Sequence, residues 1–495
     1  MARGLEWLCQ PVATPQLRVF RQLFGAVMLL QSLRLLYYDR GNDLYLSTPF
    51  HYRWPGFEWV PIPSTEWQFQ LHFVTMGVCS VVTGWYLCGS KAGRVSDIVL
   101  LTLYTWFFLW DAGYYNNHYY LTILLLFQFA VVGWTTASSG PHPHLRWHLL
   151  LFRFQFSVVY LFGGLAKLNW DWLNGYPARI WCVEAFERAY ADVMDGATPP
   201  PAAYAIPEVV TYILCYGGLV LDLLAPVLLN LPTASNSRTN LLLARGRKAA
   251  IAATLVFHFA NYHLFDIGVF PFLGAASAVL FCSEDELGKW TQVWKKIRHL
   301  VVVEDQSAPK RIAPTSGTRA VEETHLSLLH KYLVGSLLLL YVVAQLLVPL
   351  RHVVYHLNTN QTASWTGDGE LFAWRMMLTS KRCQGRFRVV TDSGSGRTRT
   401  EKVGAAQFGL TSLQEWRAFQ APLFTAQLAA FVANNSNTPT TVSAVYVDAF
   451  CALNGHPKQR YLDPSRNLLG TASSHGDTME AKPLWLPQWA DERRR

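Results

Sequence analysis

The chain reads as an all-α polytopic membrane bundle of about nine transmembrane helices, followed by a small C-terminal α+β extramembrane domain. Three observations predict this. Of 495 residues 51% are hydrophobic and only 15% charged, against about 25% charged in an average soluble chain. Several runs near or above 18 apolar residues are long enough to cross a bilayer. After residue 350 the composition turns polar, with short alternating stretches and Gly-Ser turns. The implied organisation is a transmembrane domain over 1–350 and a lumenal or extracytoplasmic α+β domain over 351–495.

The spans fall at 17–37, 69–88, 95–112, 119–135, 148–168, 208–230, 249–265, 267–283 and 328–350. Arg18 and Arg21 lie just inside the first run, which therefore does not read as a removable signal peptide. Orientation follows the Lys/Arg distribution. Lys91 and Arg94, then Arg238, Arg245, Arg247 and Lys248, then Lys289 to Arg319 mark cytosolic loops. The loop between Asp171 and Asp195 is acidic and faces the other side. The net charge of +9 is thereby accounted for without nucleic acid. With nine spans the N-terminus is cytosolic, and Lys167 and His118 share the non-cytosolic face.

In the C-terminal segment, RFRVVTDSG and TVSAVYVDAF alternate as strands do, and Ser393-Gly394-Ser395-Gly396 reads as a turn. Asn360-Gln361-Thr362 and Asn434-Asn435-Ser436 match the glycosylation pattern on the expected lumenal side. The eight cysteines contain no CxxC, and their spacing leaves a Cys383–Cys451 disulfide open.

Four polar clusters interrupt the apolar runs. Tyr114 to Tyr120 (YYNNHYY) reads either as an aromatic belt with amides capping the next helix or as a site containing Asn117 and His118. The second cluster is Arg153, Gln155 and Lys167. Arg153 is expected to snorkel from the cytosolic end. Lys167 closes the uncharged run Phe154–Ala166; it either snorkels or faces protein, and the amphipathic continuation LNWDW favours the protein. Desolvation, here expected from Phe162, Leu165 and Trp170, favours the neutral amine, which is a base. The third cluster, FHFANYHLFDIGVFP over 257–271, has His258 and His263 five apart, a poor metal spacing. Its Asp266-Ile267-Gly268 and Pro271 suggest two half-helices around a cavity. The fourth is Asp222 alone in GGLVLDLLAP, a functional carboxylate or the partner of a buried donor. His352 and His356 are four apart but lack an HExxH glutamate, and no metal is expected.

The strings FRQLFG (20–25), NNHYYL (116–121), LFRFQFSVVYLFGGLAKLNWDWLNGY (151–176), GGLVLDLLAP (217–226), FHFANYHLFDIGVFP (257–271), SAVLFC (277–282) and WTGDGELFAWRMM (365–377) resemble those of the vitamin K-dependent γ-glutamyl carboxylase family. Fainter similarity runs through VYVDAFCALNGHPKQRYLDP (445–464). The resemblance implies a lumenal reaction with vitamin K hydroquinone as cofactor and O2 and CO2 as co-substrates. A lysine matching Lys167 deprotonates the hydroquinone, and a base derived from it removes a γ-proton of a protein glutamate. Carbon dioxide traps the carbanion, and the cofactor leaves as the epoxide. His118 matches the histidine of the glutamate step, and Asn117 the amide at the quinone. Phe270, Met376 and Met377 match the naphthoquinone pocket, where His258 is a further cofactor-binding candidate.

The resemblance further implies a glutamate-containing protein or peptide substrate and a functionally coupled quinone reductase. The compartment would be the endoplasmic reticulum membrane in a eukaryote or the inner membrane in a bacterium. The chain departs from the family pattern at Ala166, where a second lysine is expected, at Thr379 for a histidine, and in lacking a cysteine within 40–66. Animal relatives continue past the point matching 495 into another lumenal β-rich domain, so the lumenal part is expected to be truncated. Two alternatives follow: a hydroquinone epoxidase or oxidase without protein carboxylation, and a non-catalytic quinone-binding subunit.

Overall fold

A computed structural model describes residues 2–37, 42–85, 90–136, 144–194, 196–232, 238–265, 267–288, 328–359, 361–392, 398–435, 441–469 and 486. Asp266, the basic stretch from Lys289 to Arg319, Asn360, Ser436 and the 393–396 turn lie outside them.

The membrane part contains α1 (Pro15–Tyr37), α2 (Glu66–Trp85), α3 (Lys91–Leu109), α4 (Asn117–Thr135) and α5 (Arg146–Lys167). It continues with α6 (Ala178–Val193), α7 (Ala205–Leu228), α8 (Arg238–Leu264), the short α9 (Phe270–Ser277) and α10 (Leu328–Thr359). Among the described residues six segments are long and apolar enough to cross a membrane: α1, α3, α4, α5, Pro201–Leu228 and Leu328–Leu357. The remaining three expected spans are helical but fall short. Gln68, Gln70 and His72 dilute α2, and His258, Asn261 and His263 dilute α8. The expected 267–283 span is a short apolar helix over Phe270–Phe281. Between α8 and α9 the helix breaks as its Gly and Pro suggested, with Gly268 at φ +62°.

The short helix ends inside the protein, so its last carbonyls need partners. Three other helices or their flanks supply them. Arg153 Nε donates to Leu280 O at 2.7 Å, Arg247 to Phe281 O, and Gln16 Nε2 to Cys282 O at 2.9 Å. Arg153 therefore does not snorkel; it turns inward because an unsatisfied helix end is a stronger draw than the headgroups. Arg21 and Asp97, both buried, pair at 2.7 Å between α1 and α3, and Thr83 of α2 adds a bond to the same carboxylate oxygen at 3.1 Å.

The last long helix touches the bundle lightly. Only 11% of its most apolar window is buried. Polar groups hold it: Tyr341 OH donates to Gln155 Oε1 at 2.5 Å and accepts from Gln128 Nε2 at 2.8 Å, while Gln155 Nε2 donates to Gln345 Oε1 at 3.4 Å.

The C-terminal part is an antiparallel four-stranded sheet with β1 (Lys381–Asp392), β2 (Thr398–Val403), β3 (Thr441–Leu453) and β4 (Gln459–Arg460) in the order β2-β1-β3-β4. Helix α11 (Pro422–Asn434) packs its Phe424, Leu428 and Val432 on the face that carries Phe387, Val445 and Val447. Cys383 and Cys451, opposite each other on β1 and β3, are disulfide-bonded, closing the alternative that the spacing left open. His352 and His356 each turn Nδ1 to a backbone carbonyl, of Pro349 and Gln361.

Candidate active site

Helix α5 brings Lys167 to its C-terminal end, and α7 places Asp222 opposite. Two glycines allow the helices to approach: a Cβ at Gly163 would lie 3.4 Å from Asp222 Oδ2, and one at Gly164 only 2.8 Å from Leu223 Cδ2. Across this seam Lys167 Nζ donates to Asp222 Oδ2 at 2.6 Å and to Gly163 O at 3.2 Å, with both side chains buried. Lys167 therefore faces protein. Its surroundings differ from the expected ones, because Leu165 and Trp170 point outward and are 44% and 53% exposed. The ring beside the amine is Trp172, whose centroid is 5.3 Å from Nζ and whose indole N–H donates to Cys215 O at 2.9 Å. The lysine nitrogen is thus buried against a carboxylate rather than isolated among apolar groups. Asp222 is thus the partner of a buried donor, and as it also lines the cavity beside that donor, its two readings converge on one place.

The pair opens into a cavity of about 550 Å3. Lys167, His118 and Asn117 line it, as do Phe270, His258, Met376 and Met377. All seven expected residues meet in one place, brought there by α4, α5, α8, α9 and the loop after α10. The walls are mainly apolar, with Phe156, Val159, Leu121 and Phe257 among them. On the side of α8, His258 Nε2 shares a hydrogen with Tyr160 OH at 2.8 Å. Tyr160 lies seven residues before Lys167, two turns along the same helix face. Asn117 accepts from Tyr115 OH at 2.9 Å and donates to Arg375 O at 3.4 Å. The helix-capping reading of this cluster does not hold for Asn116, whose side chain makes no capping bond.

A second cavity of about 790 Å3 lies behind His118. Asn116, His118 and Ile267 line both cavities, so the imidazole stands in the partition. The second chamber is more polar. Arg34, Gln31, Thr411 and Arg417 line it, and its described lining residues include no carboxylate. A Cβ at Gly268 would lie 3.2 Å from Arg34 Nη1 and 3.4 Å from His118 Nε2, so the two groups converge there. Arg417 is anchored by Gly113 O and Tyr115 O at 2.9 and 3.1 Å.

Sequence reasoning singled out Asp222 but did not place it at the site. It missed Trp172, Tyr160 and Arg34 as lining groups. The signal for Asp222 was its isolation in an apolar run; for Tyr160, its helical spacing from Lys167.

Two family models match the chain: an HTTM domain over residues 9–286, and the lumenal domain of vitamin K-dependent gamma-carboxylase over residues 330–484. No solved structure matches it. The first model spans the bundle and the Lys167–Asp222 seam, and the second carries Met376, Met377 and the sheet. The chain belongs to the vitamin K-dependent γ-carboxylase family.

Proposed function

We propose that this membrane protein γ-carboxylates glutamate in a protein or peptide substrate and couples that step to formation of vitamin K epoxide at the lumenal face. The carrying observation is the Lys167–Asp222 pair opening into the same cavity as His118, Asn117, His258, Phe270, Met376 and Met377. A volume of about 550 Å3 falls within the roughly 300–1,000 Å3 of small-molecule sites, and apolar walls with few convergent polar groups suit a flat naphthoquinone head. Bound there, vitamin K hydroquinone with O2 would supply the strong base that a glutamate γ-C–H demands, with CO2 as the group added.

The chain's own residues divide the remaining work. Lys167 Nζ takes the hydroquinone proton. To be free to do so it passes its own to Asp222 Oδ2, and a neutral pair is the alternative to an ion pair in a dry site. Asn117 orients a quinone oxygen, and Phe270, Met376 and Met377 hold the rings and keep water out. His258, fixed by Tyr160, faces the cofactor from α8. His118 serves the glutamate step from the partition, with the substrate carboxylate approaching Arg34 and Arg417 through the polar chamber. A separate quinone reductase would regenerate the hydroquinone. The membrane would be that of the endoplasmic reticulum in a eukaryote or the inner membrane in a bacterium.

The test is incubation of purified protein with hydroquinone, oxygen, labelled bicarbonate and a Glu-rich peptide. Both epoxide and labelled peptide are expected. Epoxide at a rate independent of peptide would replace this reading with that of a hydroquinone epoxidase. Absence of both products across varied lipids would refute it.

A further inference from the structure

The turn between β3 and β4 reaches out of the sheet to the short helix Trp170–Leu173 that follows Lys167. Asn454 stands at φ +50°, a conformation that asparagine tolerates better than most residues. Its Nδ2 donates to Asp171 Oδ2 at 3.0 Å and to Leu378 O at 3.1 Å, while its Oδ1 accepts from Ser380 N at 2.8 Å. Its backbone N–H donates to Ser380 O at 3.0 Å. His456 Nε2 meets the other oxygen of Asp171 at 3.0 Å. A carboxylate only accepts, so that nitrogen carries the hydrogen. Asn454, His456 and Asp171 are all buried.

What these bonds join is specific. Asp171 is four residues beyond Lys167, in the short helix Trp170–Leu173 that carries Trp172 beside the lysine Nζ. Leu378 and Ser380 directly follow Met376 and Met377. Leu378 and Trp172 belong to one apolar cluster with Cys215. Resting on the proposed reaction, we infer that the Asn454–His456 turn is a positioning clasp. It fixes the Lys167 wall of the cavity against its Met376–Met377 wall and so sets where the lysine meets the hydroquinone. Neither residue touches the cavity. The turn comes from the extramembrane sheet and grips both walls at once, whereas a residue serving only the sheet's stability would bond within the sheet.

Four variants test it: His456→Leu, Asn454→Ala, the conservative His456→Gln, and Val445→Ala in the sheet core as a control for lost stability. Amide hydrogen exchange in 168–177 and 376–382 is expected to accelerate about tenfold or more in the first two variants and not in the control. The kcat for epoxide formation is expected to fall about tenfold or more, with KM for hydroquinone within about twofold, since small misplacements of a reacting group cost that much. His456→Gln keeps a donor for Asp171 and should recover most of the loss. Unchanged exchange overturns the inference. So does faster exchange with unchanged kcat, or an equal kcat loss in Val445→Ala. If the unaltered protein makes no epoxide, the functional reading fails, and the exchange arm still tells whether the clasp holds the two walls.

Discussion

At Lys167 the group that matters as much as the amine is the carboxylate 2.6 Å away. A buried charge without a partner is costly, and breaking such a pair by removing one member costs about 3–5 kcal/mol. Asp222→Asn should therefore lower thermal stability and stop turnover together. Lys167→Arg separates the two effects: arginine can still pair with Asp222 but cannot release its proton. Epoxide formation should vanish while the melting temperature in detergent stays near that of the parent; near-normal turnover would remove the base assignment. For His118, the partition geometry predicts uncoupling. His118→Ala should depress labelled peptide about a hundredfold or more relative to epoxide, whereas an aromatic-belt histidine would lower both equally. The measurement is the product ratio. Both Lys167 and Asp222 were legible in the sequence, because each interrupts an apolar run. Their pairing was not, because 55 residues separate them and no local pattern encodes a contact between two helices. Trp170 was misassigned for a related reason: α5 ends at Lys167, and helical spacing no longer says which of Trp170 and Trp172 points inward.

At the scale of elements, close approach between helices does much of the positioning. A Cβ on Gly274 of α9 would fall 2.1 Å from His258 Cε1 and 2.3 Å from its Nε2, so Gly274→Ala must displace the imidazole or push α9 away from α8. Displacing the imidazole breaks its bond to Tyr160, and either outcome changes the shape of the cavity that Gly274 and His258 line. The expected result is a KM for hydroquinone raised about tenfold, read from initial rates of epoxide formation, with a smaller change in kcat. The break between α8 and α9 was readable from Gly268 and Pro271. The helix positions were largely readable as well, since each of the nine expected spans is helical over most of its length. Apolarity was less so, because α2 and α8 carry polar groups, of which His72 and His258 are buried in the protein. Arg153 shows the same limit: sequence places it at a helix end, and only the fold shows a second helix end waiting there.

At the scale of the molecule, the extramembrane domain has its own buried cation. Lys381 donates to Trp365 O at 2.6 Å and Gln420 O at 2.8 Å and lies 3.7 Å from the Tyr461 ring centroid. Burial draws its pKa down from 10.5 to about 7, with Glu370 and Asp368 opposing. The folded value lies below the unfolded one, so between these limits the unfolded chain holds more protons. Lys381's contribution to stability should then rise with pH from about 7 to 10.5 and be least favourable below 7. Lys381→Met should flatten that rise in thermal melts between pH 7 and 10. It should also cost about 1–3 kcal/mol by leaving the buried Trp365 carbonyl without the lysine donor and Gln420 O with only the Tyr461 hydroxyl at 3.4 Å. Alternation in 386–392 and 441–450 made the sheet visible in sequence, but strand order and this lysine's burial depend on contacts with residues 363–366 and 420 that no periodicity announces.

The lightly held α10 carries a consequence for the whole assembly. Its 32 residues span about 48 Å at 1.5 Å per residue, well beyond the roughly 30 Å of a hydrocarbon core. An apolar run of that thickness ending near Pro349 would put the excess in the headgroups and water, and in that excess Arg351 bonds Leu371 O in the segment that leads to Met376. With so little of the described protein around it, the helix should answer to the lipid, hydrophobic mismatch setting its tilt and height. A change in acyl-chain length should therefore be transmitted by this helix to a wall of the proposed reaction chamber, and bilayer thickness is expected to act on turnover alongside the concentrations of the substrates.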